Sequence, residues 1–299
     1  MKRAFTLIEL IAVIVILGIV ATMGTSLLLN IYQSYSQSQN LSQLQSQTQT
    51  SVNQIAKLLS YRVKPSVIAR VANTNDFKKL NDNQDERYNV LEFISYEPDL
   101  FNDDFYSGVV DLDASDSGII ITPDSSLTEP KKYKEYDDQE VSLTLEEAIT
   151  DDLENFNNDN YELALIFKQV PYDTQKAFGY DENFAKHSPN ETIARAKIAD
   201  NEKFQIKDYI QKQISEHYQL AYTAHAITLV KNDNGEFNLV IYYNYRPWLN
   251  ERYDKDAKSS ILAKNVTAFN FKQESDIIYL RLCLKNDSNS IVCKLKAVY

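Results

Sequence analysis

The sequence predicts an α+β fold in which one long N-terminal helix lays its distal half against an antiparallel β-sheet. Three observations predict it. An apolar run opens the chain from Phe5 to Leu29. A Gln- and Ser-rich stretch without Pro or Gly follows, carrying apolar residues at three- and four-residue steps. The last third alternates β-branched and aromatic residues between tight-turn signals.

The opening run sets the chain's relation to a membrane. Lys2 and Arg3 precede Ala4, and the apolar run contains one carboxylate, Glu9. As a helix the run is ~37 Å long at ~1.5 Å per residue, enough to cross a hydrocarbon core of ~30 Å. Only a helix satisfies its own backbone hydrogen bonds in lipid. The two cations hold the N-terminus on the cytoplasmic side, so the rest of the chain lies across the membrane. The run is too long for a secretory signal peptide and no small-x-small cleavage site follows it. Glu9 is costly there: an acidic side chain at the bilayer centre costs roughly 2.5–3.5 kcal/mol, less near an interface. No Lys, Arg or His follows within the span. Either Glu9 snorkels to the interface, or another molecule supplies a cation.

The string Ala4-Phe5-Thr6-Leu7-Ile8-Glu9 resembles the cleavage and methylation site of type IV prepilins and type II secretion pseudopilins. The resemblance implies a cytoplasmic-side prepilin peptidase that cuts between Ala4 and Phe5 and leaves Phe5 as an N-methylated first residue. It also implies that Glu9, the fifth residue of the mature chain, attracts the terminal amine of a neighbouring subunit. Ala4 stands where the family usually has Gly.

The helix is expected to continue past the membrane. Leu41, Leu44, Thr48, Val52, Ile55 and Leu59 make one apolar face, while the other face is polar and almost uncharged. A low-complexity linker has the same composition, but the stripe and the missing breakers favour helix to about Val63. Pro65 disfavours helix at Lys64. Four segments follow from this: a leader at 1–4, a membrane span at 5–29, an amphipathic half at 30–64 and a globular α+β domain at 65–299.

Within the globular part, Val90–Ile94 and Gly118–Thr122 read as strands. Between them Asp111, Asp113 and Asp116 lead to Gly118. Carboxylates and Gly so spaced suggest either a calcium loop or an ordinary solvated turn; the spacing is not that of an EF-hand and no Glu closes it. Residues 129–160 form an acidic insertion, in which Thr144-Leu145-Glu146-Glu147 fits a capping box for a helix from Leu145 to about Phe156. Tyr161–Val170 suits a buried strand. Ser188-Pro189-Asn190-Glu191 reads as a second helix start, running to about Ala199. Phe204–Ile214 is ambiguous between helix and strand.

The C-terminal third reads as a meander. His217–Lys231 is one strand, Asn232-Asp233-Asn234-Gly235 a tight turn, and Glu236–Tyr245 the return. Val266–Gln273, Ile277–Leu284 and Ile291–Val298 complete it. The string from Ile261 to Phe271, followed by Ile278–Leu282, is similar to the end of a J-type minor pseudopilin or a W-type minor pilin. Cys283 and Cys293 fall on the last two strands. A three-residue loop, Asp287–Asn289, with Asn289 left-handed, sets them face to face within disulfide range. A register shifted by one makes a cleaner apolar face and separates them.

Composition narrows the function. The chain has 299 residues, 31 Lys+Arg and 42 Asp+Glu, a net charge of −11. That balance argues against sequence-independent nucleic-acid binding, which needs clustered cations. There is no P-loop, Gly-x-Ser-x-Gly or Cys-x-x-Cys. His217 and His225, an even number apart on one expected strand, share a face there but lack a third metal ligand. No catalytic residue, cofactor or metal is expected. The resemblance implies a minor pseudopilin of a type II secretion pseudopilus. Its partners would be prepilin peptidase, other pilin-like subunits and the inner membrane, with the C-terminal domain periplasmic. A minor pilin of a type IV pilus or DNA-uptake system is the alternative in the same class; a membrane-anchored periplasmic enzyme or ligand binder is the alternative in another.

Overall fold

The computed structural model describes residues 7–82, 85–134, 140–152, 156–178, 192–207, 209 and 213–299. Its first element, α1 (Leu7–Ser60), is one unbroken helix of 54 residues. The proximal half is exposed, Leu17, Val20 and Leu28 among it. The distal half turns Leu44, Thr48, Val52, Ile55 and Leu59 into the core. Burying each of the aliphatic side chains is worth roughly 1.5–3 kcal/mol. Leu41 remains 41% exposed, so packing begins one turn later than the sequence stripe. Thr48 fits the apolar face because its hydroxyl donates to the Leu44 carbonyl at 2.7 Å.

The helix ends at Ser60, short of the expected Val63. The Tyr61 and Arg62 N–H groups bond back to the Leu58 and Leu59 carbonyls, which tightens the last turn. Val63 then gives its N–H to the Ile94 carbonyl at 2.8 Å. Sheet pairing thus takes the chain before Pro65 is reached. Arg62, buried, pins this end by donating to the carbonyls of Leu59, Asp276 and Tyr299.

The strands are β1 (Ile68–Arg70), β2 (Phe77–Lys79), β3 (Val90–Ser95), β4 (Ile119–Ile121), β5 (Lys131–Lys134), β6 (Glu140–Leu143), β7 (Leu163–Phe167), β8 (Ala194–Asp200), β9 (Lys203–Lys207), β10 (Tyr218–Ala221), β11 (Thr223–Lys231), β12 (Phe237–Tyr245), β13 (Lys258–Glu274), β14 (Ile277–Lys285) and β15 (Ile291–Val298). Among the described residues three short helices accompany them: α2 (Pro98–Asn102), α3 (Leu145–Asp152) and α4 (Thr174–Ala177). An eight-stranded sheet runs β15-β14-β13-β12-β11-β3-β1-β2, and a five-stranded one runs β10-β7-β8-β9-β4. Both are antiparallel throughout. The meander from β11 to β15 supports α1 on one face. At the β11, β3 and β1 end the second sheet covers the other face. Every residue of β3 is therefore buried: Leu91 and Phe93 join the α1 core, and Val90 and Ile94 join the core between the sheets. This two-sided burial is why the strand reads as an apolar run rather than as an alternation.

Two expectations are corrected. His217–Lys231 is not one strand. The chain leaves β10 in the small sheet and enters β11 in the large one across Tyr222. The expected second helix start at Ser188–Glu191 lies outside the described residues, and its body is β8, not helix. Ala194, Ala196 and Ile198 point inward while Arg195 and Lys197 are half-exposed, a period of two that overrides the cap-like string. The ambiguous Phe204–Ile214 contributes β9 over Lys203–Lys207. Helix α3 is described over Leu145–Asp152, and residues 153–155 of the expected run lie outside the described residues. Its capping box is formed, with Thr144 N–H to Glu147 Oε2 at 2.8 Å and Glu147 N–H to Thr144 Oγ1 at 3.2 Å.

Candidate functional site

The sequence points to the N-terminal motif, the cysteine pair, the aspartate loop and the histidines. Among the described residues these places do not form one site, although His217 pairs with Val109, two positions before Asp111. Ala4 and Phe5 lie outside the described residues. Glu9 is exposed near the described start of α1. From Leu7 to Leu29 the helix shows an apolar surface on all sides.

Cys283 and Cys293 face each other directly in the β14–β15 ladder and are joined as a disulfide, with Cα atoms 4.0 Å apart. The register is the one a three-residue loop imposes. Asn286 N–H bonds the Ser290 carbonyl at 3.1 Å, and Asn289 adopts φ 58°. Turn geometry wins over the cleaner apolar face, and Leu295 is left 78% exposed as a consequence.

The aspartate loop is a pair of side-chain-closed turns. Asp111 accepts the N–H groups of Asp113 and Ala114 at 3.0 and 3.1 Å. Asp116 accepts those of Gly118 and Ile119 at 2.7 and 2.8 Å, which holds its carboxyl below the ordinary range. Among the described residues no group of three or more His, Cys, Asp or Glu side chains is placed to hold a metal ion.

His217 is exposed beside β10, while His225 belongs to β11 in the other sheet, so they share no face. His225 lies on the floor of a cleft of about 520 Å³ between the end of α1 and the starts of β11 and α2. Its ring stacks on Phe93 with centroids 5.6 Å apart, and its Nδ1 lies 3.0 Å from Ser95 Oγ. Burial pushes the imidazole down to about 4, so it is neutral at pH 7. Tyr61 and Tyr96 form one wall, edge to face at 6.2 Å. Among the described residues no carboxylate bonds the imidazole, so the Ser95–His225 pair lacks the third group that orients a catalytic base. The sequence did not mark this cleft, because it arises where two sheets and a helix end meet. Its only signal was an isolated His inside an apolar strand.

Two ionic groups, one fully buried and one largely so, were also hidden. Arg70 bonds Glu92 beneath β3. Arg246 bonds both Glu162 and Glu251, while Trp248 Nε1 donates to the Glu162 carbonyl at 2.9 Å. The second network ties the loop after β12 to the start of β7, joining the two sheets.

Residues 1–25 match the model of the prokaryotic N-terminal methylation motif. No curated protein and no solved structure matches the chain. A methylation motif heading a helix with a bare apolar half and a sheet-packed half supports a type IV pilin-like protein. The same two features fit an inner-membrane anchor, processing by prepilin peptidase and assembly with other pilin-like subunits.

Proposed function

We propose that this chain is a minor subunit of a periplasmic type II secretion pseudopilus and acts by filament assembly. The observation that carries the reading is the methylation motif at the head of α1, whose proximal half is wholly exposed. In this reading the peptidase cuts between Ala4 and Phe5, Phe5 is methylated, and Glu9 attracts the terminal amine of the next subunit. The bare apolar half crosses the inner membrane and then joins other subunit helices. The sheet domain sits in the periplasm, and its size, large for a major subunit, favours a low-copy role. Among the described residues the Ser95–His225 pair has no orienting carboxylate of the kind an enzyme reading asks for, and much of the exposed apolar surface lies on α1, with Ile291 and Leu295 exposed at the β15 edge.

The test is affinity purification of the full chain from its native host after gentle solubilisation. Co-purification with pseudopilins, together with loss of protein export on deletion, is expected. Recovery with pilus or DNA-uptake subunits and intact export overturns the secretion assignment. Recovery without any pilin-like subunit overturns assembly itself.

A further inference from the structure

Among the described residues strand β15 forms the outer edge of the eight-stranded sheet and pairs only with β14. Its register is unbroken over all eight residues, and it contains no Pro. Sheet edges are normally blunted by bulges, Pro, short length or charged side chains; this one lacks the first three and carries Lys294 and Lys296.

The Asn286–Ser290 hydrogen bond fixes which backbone groups point out. Antiparallel pairs alternate between hydrogen-bonded and non-hydrogen-bonded. Counting from Asn286–Ser290, the pairs Lys285–Ile291, Cys283–Cys293, Arg281–Leu295 and Tyr279–Ala297 are non-hydrogen-bonded. The Cys283–Cys293 Cα separation of 4.0 Å fits the closer, non-hydrogen-bonded class. The N–H and C=O groups of Ile291, Cys293, Leu295 and Ala297 therefore face away from β14. Their side chains share the sheet face that points away from α1, and Ile291 and Leu295 are 58% and 78% exposed. Lys294 and Lys296 alternate with them on the opposite face.

Charge selects what this edge accepts. Residues 258–299 hold Lys258, Lys264, Lys272, Arg281, Lys285, Lys294 and Lys296 against Glu274, Asp276 and Asp287, a net of 7 − 3 = +4. The whole chain carries −11, so the remainder carries −11 − 4 = −15. Two copies of β15 paired about Leu295 would set Lys294 of one copy opposite Lys296 of the other, and like charges directly opposite are destabilising. An incoming strand with carboxylates opposite Lys294 and Lys296 and apolar residues opposite Cys293, Leu295 and Ala297 satisfies both faces.

We propose that β15 is a docking edge that takes an extended segment of a partner protein with alternating acidic and apolar residues as a ninth strand. The inference does not depend on which filament the chain joins. The probe is a fluorescein-labelled eight-residue peptide of alternating Glu and Val, compared with its Lys/Val counterpart, on the full chain in detergent at low salt. The Glu/Val peptide should bind at least tenfold more tightly than the Lys/Val peptide. At saturation, amide exchange should slow at Cys293, Leu295 and Ala297. Leu295→Pro removes an outward N–H and leaves the β14 ladder intact, so binding should vanish with the circular dichroism spectrum unchanged. Should that variant misfold, Lys294→Glu with Lys296→Glu decides, because it should invert the peptide preference. Failure of the Glu/Val peptide to bind, equal binding of both peptides, Glu/Val binding that survives Leu295→Pro, or an unchanged preference in the Lys294→Glu/Lys296→Glu variant overturns the proposal. So does concentration-dependent dimerisation that Leu295→Pro abolishes, because the occupant is then a second copy.

Discussion

Arg70 Nε donates to Glu92 Oε2 at 2.7 Å with both side chains fully shut away from solvent. Tyr245 donates its hydroxyl to the other carboxylate oxygen at 2.9 Å, and the guanidinium lies 4.6 Å from the Phe77 ring centre. The group stands where β1, β3 and β12 face the second sheet. Removing one partner of a buried pair leaves the other charge uncompensated. Glu92→Ala is therefore expected to cost about 3–5 kcal/mol of stability. Replacing both by apolar residues, Arg70→Met with Glu92→Leu, should cost much less than either single change. Urea unfolding of the detergent-solubilised chain measures this, and single variants that lose under ~1 kcal/mol would contradict the pair's role.

That pair also shows where sequence reading stops. The strand at Val90–Ile94 was legible from its β-branched run, but nothing in that run marks Glu92 as buried. Its burial follows from Arg70, twenty-two positions away, and no local pattern carries that link. The α1 stripe was legible because helical period is local; only its ends moved, where Val63 found a strand partner and Leu41 found none. The β8 segment was misread because a cap-like Ser-Pro string outweighed the Ala-Arg-Ala-Lys-Ile alternation beside it. The switch of sheets at Tyr222 was invisible, since β10 and β11 read as one continuous strand. The His225 cleft depends on that switch and was hidden with it.

The Cys283–Cys293 bridge yields a chemical prediction. It closes a short loop at an exposed edge, so the bond should add about 2–3 kcal/mol. Denatured but unreduced protein from the native host should take up no thiol reagent, and reduced protein should take up two equivalents. Reagent uptake without reduction would show that the compartment does not hold the bond, which would count against a periplasmic domain.

His225 supplies a pH dependence. An ordinary imidazole titrates near 6.5, and burial in the cleft lowers this one to about 4. Below pH 6.5 the unfolded chain takes up a proton that the folded chain refuses. Stability should fall from pH 6.5 to about 4, then level off for this group, by about 3 kcal/mol at most. The charged groups facing the same cleft are Lys57, Glu97 and Asp99. Carboxylates held low, such as Asp254 beside Arg252, lose their contribution at more acid pH, as protonation proceeds through and below the ordinary carboxylate range. His225→Asn retains a polar partner for Ser95 and should flatten the curve between pH 6.5 and 4. An unchanged slope in that variant would refute the assignment.

Glu9 tests assembly. Glu9→Gln keeps the shape and removes the charge, so membrane insertion and leader processing should persist while incorporation into the filament falls. At an effective dielectric near 20 a close ion pair is worth about 4 kcal/mol, enough to cut incorporation by two orders of magnitude or more. Quantifying the variant in purified filaments measures this. Normal co-assembly of Glu9→Gln would remove the pairing with a neighbour's amine from the account.

Processing is the most direct test of what the N-terminal match means. The methylation motif covers residues 1–25, and the peptidase reading places the cut between Ala4 and Phe5. Intact-mass measurement of the protein from its native host should find a chain beginning at Phe5 and carrying one methyl group. The site must accept a small side chain before the cut, so Ala4→Leu should leave the full-length chain in the membrane. Without the cut there is no free Phe5 amine, hence no cation for Glu9 of the next subunit, and assembly should fail along with processing. Ala4→Gly should restore both. Assembled protein that retains Met1 would separate the motif from its function and overturn the pilin-like processing pathway for this chain.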